Sequence, residues 1–184
     1  MAAAGRPWAA DILHFWFHGL RPVQWFAPDA EVDNVCARRF GKWLTAFSRC
    51  PAGMFLRDPL TARAAVLLFD QIPRNIHRGT AAAFATDPLA RAIAKGAIRR
   101  GWSGGLARAE RQFLYMPLMH SEDRADQRAS LALFTALGDP NTTAFARSHA
   151  AMIARFGRFP HRNAVLGRRS SNAERRAVAA GNAW

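Results

Sequence analysis

Three short segments concentrate the ionisable and amide side chains of this chain. They are residues 70–75 (Asp-Gln-Ile-Pro-Arg-Asn), residues 120–123 (His-Ser-Glu-Asp) and residues 158–163 (Arg-Phe-Pro-His-Arg-Asn). Carboxylates and imidazoles can transfer protons, and guanidinium groups bind carboxylate or phosphate oxygens two at a time. The three segments therefore predict one polar site that handles an anionic substrate.

The residue types suggest a division of roles within this predicted site. Acid–base chemistry falls to four side chains, Asp70, His120, Glu122 and Asp123. Substrate binding falls to seven, Gln71, Arg74, Asn75, Arg158, His161, Arg162 and Asn163. An imidazole two residues from a carboxylate can serve as general acid or base if folding brings both to one substrate.

Structural roles are an open alternative for the same residues. Asp70 and Arg74 have the spacing of an ion pair on one helix face, and Asn75 could cap that helix. Acidic side chains in the first turn of a helix interact favourably with its dipole without any further function. In this interpretation the arginines of residues 155–168 pair with Asp70, Glu122 and Asp123 in a buried network.

A metal site is the rival interpretation, and the spacing disfavours it. It would draw on five residues, His77, His120, Glu122, Asp123 and His161. None of them stands in an H-E-x-x-H or comparable pattern. We therefore expect no metal and no cofactor. Three further histidines, His14, His18 and His149, lie at helical positions and are interpreted as core or helix-surface residues.

The length of the chain bears on the number of domains, and its charge bears on the kind of partner. The 184 residues suffice for one domain, so a single domain over residues 1–184 is expected. The formal net charge is +13, and all but two of the 26 basic residues are arginines. Such an excess fits a polyanionic partner such as RNA, whereas the even spread of the arginines along the chain fits solvated helix faces. Both interpretations stay open.

Cysteine usage and hydropathy indicate the compartment. Cys36 and Cys50 form no C-x-x-C pair, which favours free thiols in a reducing environment. The segment Met1–Asp11 has no apolar core typical of a secretory signal. The longest apolar run, Ala64–Phe69, is far shorter than the roughly 20 residues of a membrane span. We expect a cytoplasmic protein without a membrane partner.

The apolar residues recur at helical spacing along nearly the whole chain, and period-two alternation is absent. This pattern predicts an all-α fold of seven or eight helices in antiparallel hairpins. Start signals are predicted at four places, Asp58-Pro59, Asp87-Pro88, Ser121 and the capping box Ser171–Glu174. Pro73 is expected to interrupt its helix and Pro117 to kink or end its own.

Four longer motifs carry a resemblance to a known family. They are residues 12–19 (ILHFWFHG), 69–79 (FDQIPRNIHRG), 113–123 (FLYMPLMHSED) and 155–168 (RFGRFPHRNAVLGR). Together they resemble a widespread, mainly bacterial family of domains of unknown function, over about residues 11–177. The resemblance implies a tetratricopeptide-like arrangement of helical hairpins and no particular activity.

Small departures from the family pattern concern the wall of the predicted site. Phe69 and Ile72 stand where Leu and Phe are expected, and His77 stands where Tyr is commoner. These changes affect the size and polarity of that wall.

A more distant likeness concerns function. The chain is similar to transfer-RNA-dependent enzymes that make arginine-containing cyclic dipeptides. This likeness implies an aminoacyl-tRNA substrate and an acyl transfer that forms an amide bond. Because an aminoacyl ester is already activated, positioning and proton transfer could suffice. The alternative is a non-catalytic, tetratricopeptide-like adaptor that binds a protein and whose polar residues are architectural.

Overall fold

The computed structural model of the protein describes residues 6–181. The first five residues of the segment examined for a signal, Met1–Asp11, lie outside this range. Between residues 6 and 181 the chain forms helices and no strand, which confirms the all-α prediction. The tetratricopeptide-like arrangement stays a prediction.

The helices follow one another along the chain with short connections. The α-helices are α1 (Pro7–His14), α2 (Ala30–Phe47), α3 (Pro59–Val66), α4 (Ile72–Ile76), α5 (Asp87–Arg99), α6 (Arg108–Met119), α7 (Arg124–Ala136), α8 (Pro140–Phe156) and α9 (Asn172–Ala179). Two π-helical turns extend them: Phe15–Gly19 continues α1, and Leu67–Gln71 joins α3 to α4. Apart from four short 3-10 turns, the described chain thus contains eight continuous helical runs, as the apolar spacing predicts.

Side-chain caps begin several of these helices. The Asp58 carboxylate accepts a hydrogen bond from the backbone N–H of Thr61 at 2.8 Å, and the predicted capping box of Ser171 and Glu174 is confirmed. Such caps typically contribute about 1 kcal/mol each.

Two predicted caps are wrong. Thr86, not Asp87, precedes α5, and the Asp87 carboxylate instead binds Arg74. Asp123, not Ser121, caps α7, because the Ser121 hydroxyl is occupied with Asp126.

Pro73 does not interrupt its helix, contrary to the prediction. A proline has no N–H, so the carbonyl of Phe69, four residues earlier, lacks its helical donor. The hydroxyl of Thr86 donates to that carbonyl at 2.7 Å. The chain passes through the π-helical turn Leu67–Gln71 immediately before the proline and continues as α4. Pro117 likewise lies inside α6, which ends two residues later at Met119.

The first π-helical turn shows the same compensation. The backbone N–H of Leu20 donates to the carbonyl of Phe15 at 3.0 Å, five residues back, so the carbonyl of Trp16 is released. The indole N–H of Trp25 donates to this carbonyl at 2.8 Å. A side chain from outside the helix thus satisfies a backbone acceptor in each π-helical turn.

The chain divides into two compact units. Unit 1 runs to Arg78 and resumes over Ala82–Pro117, and unit 2 comprises Gly79–Ala81 and the chain from Leu118 onward. The expectation of a single domain stays a prediction.

Unit 1 has an aromatic core. Its largest fully buried side chains include Trp16, Phe40, Phe55, Phe69 and Phe113. The ring of Phe55 meets that of Phe69 edge-on at 5.1 Å, and Trp16 meets Phe113 in the same way at 5.4 Å. Each such burial contributes roughly 1.5–3 kcal/mol, so this core holds the helices that carry residues 70–75.

In unit 2, α7 and α8 pack against each other. Met152, Ile153, Phe159 and Ala177 form a buried apolar cluster that joins α8 to α9. Gly157 ends α8 with a φ of 70°, a left-handed conformation that glycine adopts readily, and the chain then turns toward Phe159.

The structure bears on the predictions about membrane spans and cysteines. Among the helices of residues 6–181, none combines the length and apolar character needed to cross a membrane. Both cysteines are free thiols, and burial raises the pKa of the Cys36 thiol to about 12.

Candidate functional site

Residues 70–75 form a paired cluster inside unit 1. Asp70 has no solvent exposure, and the Arg74 guanidinium lies 3.5 Å from its carboxylate, which confirms the predicted helix-face pair. Arg74 also donates to both oxygens of Asp87, at 2.9 and 3.0 Å. Burial lowers the pKa of Arg74, but Asp70 and Asp87 together raise it by a larger amount. The net shift is upward, so the guanidinium stays charged.

The other polar residues of this segment are also engaged. The amide of Gln71 donates to Asp70 at 2.5 Å. The amide of Asn75 donates to the Asp33 carboxylate at 2.9 Å rather than capping its helix. Arg78 binds both oxygens of Asp33, at 2.9 and 2.8 Å. These contacts favour the structural interpretation of the segment, and its catalytic and binding roles stay predictions.

The turn at residues 120–123 is fastened from within unit 2. The amide of Gln127 donates to the carbonyls of Met119 and Ser121 at 2.7 and 2.6 Å. The Ser121 hydroxyl donates to the buried carboxylate of Asp126 at 2.8 Å. Asp123 accepts from the first backbone N–H groups of α7. The turn is therefore held in one conformation that presents His120.

Glu122 connects this turn to residues 158–168. It accepts the backbone N–H of Phe159 at 2.7 Å and two hydrogen bonds from Arg168, at 2.8 and 3.0 Å. Burial raises its pKa, but the hydrogen bonds from Arg168 and Phe159 lower it more, so the group stays ionised. A carboxylate whose pKa is lowered in this way is a weak base, and its contacts favour a positioning role.

Two imidazoles and one guanidinium lie against the ring of Phe159, and a third imidazole lies beside one of the two. We call His120, His149, His161 and Arg162 the histidine centre. The His149 and His161 rings lie 5.4 and 5.6 Å from the Phe159 ring, and the His120 ring lies 6.4 Å from that of His149. Arg162 sits over the Phe159 ring at 4.7 Å and donates to the His120 carbonyl at 3.1 Å.

The basic side chains of the histidine centre act on His149. Burial lowers the pKa of His149 to about 3, and His120, Arg162 and His161 lower it as well. The opposing influence is the Phe145 carbonyl, a neutral acceptor 2.8 Å from Nδ1. His149 is therefore a neutral core residue, as its apolar stripe predicts, whereas His120 and His161 are only half-buried.

Glu174 organises the remaining predicted binding residues, and sequence reasoning missed this role. Its carboxylate accepts from Arg158 at 2.7 and 3.0 Å and from the amide of Asn163 at 3.4 Å. The bond from Arg158, with that from the Ser171 backbone, lowers the pKa of Glu174 to about 2. The capping box located Glu174 in the sequence, but nothing there indicated a partner sixteen residues earlier.

The structure thus groups the predicted residues in two sets. Unit 2 brings Glu122, His161 and Arg162 together at Phe159 and places His120 beside Arg162 and His149. It also joins Arg158 to Asn163 through Glu174. Residues 70–75 form their own cluster in unit 1. In the described range 6–181, no group of three or more histidine, cysteine or acidic residues is arranged to hold a metal ion.

Comparisons with known proteins identify a family and a similar solved structure. Residues 12–182 match the family described as bacterial protein of unknown function, DUF924. Among solved structures, a protein of unknown function from Agrobacterium tumefaciens, ATU0120, is 40% identical. The match covers 97% of this chain and 98% of that chain, with a TM-score of 0.88. No curated protein matches the chain.

Proposed function

We propose, from the geometry of unit 2, that this chain, which belongs to the DUF924 family of bacterial proteins of unknown function, is an enzyme for an anionic substrate. The substrate binds at the histidine centre. His120 exchanges a proton with it, while His161 and Arg162 hold its negative charge.

The clustering of basic side chains is the observation that supports this proposal. Cationic groups that share a site repel one another and disfavour their charged forms, unless an anion neutralises them. Three such side chains, His120, Arg162 and His161, lower the pKa of His149. The neighbouring acid, Glu122, is bound to Arg168 through both oxygens. A bound carboxylate or phosphate would relieve the repulsion.

Proton transfer is assigned to His120 because its contacts suit the task. The residue is half-buried, so it keeps access to solvent, and its backbone carbonyl is held by the hydrogen bond from Arg162. Imidazole titrates near neutral pH and is the commonest general acid or base. Glu122 acts through others, since it holds the Phe159 backbone and Arg168.

The specific substrate we propose is an aminoacyl-tRNA, with amide-bond formation as the reaction. This choice rests on the distant likeness described above and is compatible with the net charge of +13. In the reaction, an amine attacks the ester carbonyl, the carbon–oxygen bond to the tRNA breaks, and a proton moves from the amine to the departing hydroxyl. His120 is suited to carry that proton.

The test is a transfer assay with the full chain. A mixture of radiolabelled aminoacyl-tRNAs is incubated with the protein, and loss of the ester and formation of an amide product are followed. We expect turnover by the wild type and a loss of about 10²- to 10⁴-fold for His120→Gln, since general acid–base catalysis contributes about that much. Glu122→Gln should also slow turnover.

A matched control separates catalysis from folding. His77→Gln changes a histidine of unit 1 and should retain full turnover. Circular dichroism should give the same helical signal for all three variants. If wild-type protein releases no amide product and retains no tRNA at low salt, the aminoacyl-tRNA version is wrong. Global unfolding of Glu122→Gln would remove its assigned role in catalysis.

A second candidate function is a non-catalytic adaptor. The observation that favours it is the engagement of the acids, because Asp70, Glu122 and Glu174 all pair with arginines as in a structural network. Affinity capture on the immobilised protein, followed by mass spectrometry, distinguishes the two. A protein ligand whose binding is indifferent to His120→Gln would favour the adaptor over the enzyme.

A further inference from the structure

Two histidines on the first helical run form a side-by-side pair that the proposed function does not use. His14 is the last residue of α1, and His18 lies in the π-helical turn Phe15–Gly19. Both side chains are exposed, and their ring centroids are 5.6 Å apart. The backbone beneath them belongs to unit 1.

The spacing of the rings suits a shared metal ion. Zinc–nitrogen bonds are about 2.0–2.1 Å long, so two nitrogens on one ion lie at most about 4 Å apart. Each ring nitrogen stands off the centroid toward the ring edge. Two rings with centroids 5.6 Å apart can therefore turn one nitrogen each to within that separation. Two histidines four residues apart on one helix are also the spacing by which metalloprotease helices hold zinc.

The support beneath the pair is rigid. Ile12, Phe15 and Trp16 face the core and are buried, which leaves the opposite face to His14 and His18. The Trp25 indole fixes the carbonyl of Trp16 between the two histidines. A chelate whose ligands stand on a fixed backbone loses less freedom when it binds its ion.

The donor set selects the class of metal. The nearest acid in sequence, Asp11, is paired with Arg39, so the ligands are two imidazole nitrogens without a carboxylate. Imidazole suits zinc and copper, whereas magnesium and calcium require oxygen ligands. Among divalent ions, copper binds nitrogen sites more tightly than zinc does.

We propose that His14 and His18 chelate one divalent zinc or copper ion at the surface of unit 1, with water or a small anion completing its coordination. The site is independent of the histidine centre and of the function proposed for it. The histidines of the first helical run then act as ligands, in addition to their position on the helix surface.

The test is titration of the full, untagged chain with ZnCl₂ and with CuCl₂ by isothermal calorimetry. We expect one ion per chain and tighter binding of copper than of zinc. His14→Gln and His18→Gln should each weaken binding at least about tenfold, and the double variant should be little weaker than either, because one lost ligand already destroys the chelate. CaCl₂ and MgCl₂ should give no heat of binding.

Controls keep this proposal separable from folding and from binding elsewhere. His77→Gln should bind both ions as the wild type does. The electron paramagnetic resonance spectrum of the copper-bound wild type should show two nitrogen ligands. Wild-type affinity in either single variant, or a spectrum with one nitrogen, would overturn the proposal. Because both side chains are exposed, the variants should keep the wild-type melting temperature without metal.

Discussion

The polar clusters of the two units differ in how their charged side chains are paired. In unit 1, the cations Arg74 and Arg78 are shared among the carboxylates Asp33, Asp70 and Asp87. In unit 2, Glu122 is held by Arg168 and Glu174 by Arg158, and the histidine centre groups basic side chains that lower the pKa of His149.

The contrast is between a cluster of paired opposite charges and a cluster of basic side chains, which is where we propose that an anion binds. Opposite charges with good hydrogen-bond geometry offset much of their desolvation, and removing one partner is costly. Basic groups that share a site disfavour one another's charged forms, and groups with perturbed pKa values concentrate at functional sites. Variants that separate the two situations test the interpretation directly.

The largest effect is expected from breaking the pair in unit 1. Arg74→Met removes the cation that pairs with the fully buried Asp70 and with Asp87, which should reduce the free energy of unfolding by about 3–5 kcal/mol. Urea unfolding followed by circular dichroism measures this loss. Arg78→Met is the control, because its side chain is 44% exposed and its loss should cost less than about 1 kcal/mol. Equal losses would break the comparison.

Lowering the pH should reduce the stability of the protein through His149, over a range of several pH units. Its folded pKa is about 3, below the ordinary value of 6.5, so the unfolded chain binds a proton that the native protein does not. Stability therefore falls as the pH decreases from about 6.5 to 3, by up to about 1.4 kcal/mol per pH unit. His149→Leu should flatten the dependence of the urea midpoint on pH in this range. The exposed His18→Gln serves as control, and a slope unchanged by His149→Leu would contradict the expectation.

Phosphate should stabilise the histidine centre specifically. At a concentration ten times its dissociation constant, a bound anion adds about 1.4 kcal/mol to the free energy of unfolding. The melting temperature in phosphate, compared with sodium chloride of equal ionic strength, measures this gain. His120→Gln and His161→Gln should each reduce it, whereas His77→Gln should not. An identical gain in all variants would indicate a general salt effect.

The smallest effect concerns the backbone of unit 1. Thr86→Val removes the hydroxyl that donates to the Phe69 carbonyl and should cost about 1 kcal/mol. The shape of the side chain is kept, so the loss reports the hydrogen bond. Thr135→Val, whose exposed hydroxyl bonds within its own helix, is the matched control and should change stability little. A larger loss in the control would show that packing, not the carbonyl, decides the outcome.

Local signals in the sequence predicted much of the fold. Apolar spacing gave the helices, and the caps at Asp58 and Ser171 follow from short-range chemistry that any helix start requires. Burial of His149 also followed, because it shares an apolar stripe with Met152 and Ile153. These features depend on neighbours within one or two turns of the same helix.

The contacts that shape the candidate site depend on residues distant in sequence. Glu122 meets Phe159 and Arg168, thirty-seven and forty-six residues later. The path of the chain through Pro73 depends on Thr86, thirteen residues beyond it, through the Phe69 carbonyl. No local propensity encodes such pairings, so the sequence indicated which segments matter but not which residues hold one another.

The π-helical turn Leu67–Gln71 determines the direction in which the side chains of α4 point. Each residue of an α-helix advances about 100° around the axis, and the wider turn absorbs roughly one residue more than an α-turn would. The turn thus shifts the phase of α4 relative to α3, and in that phase Arg74 and Asn75 meet Asp87 and Asp33. Deletion of one residue within the turn would rotate both side chains by about 100°, away from both carboxylates. The angular register of the helix, rather than the identity of its residues alone, decides which ion pairs can form.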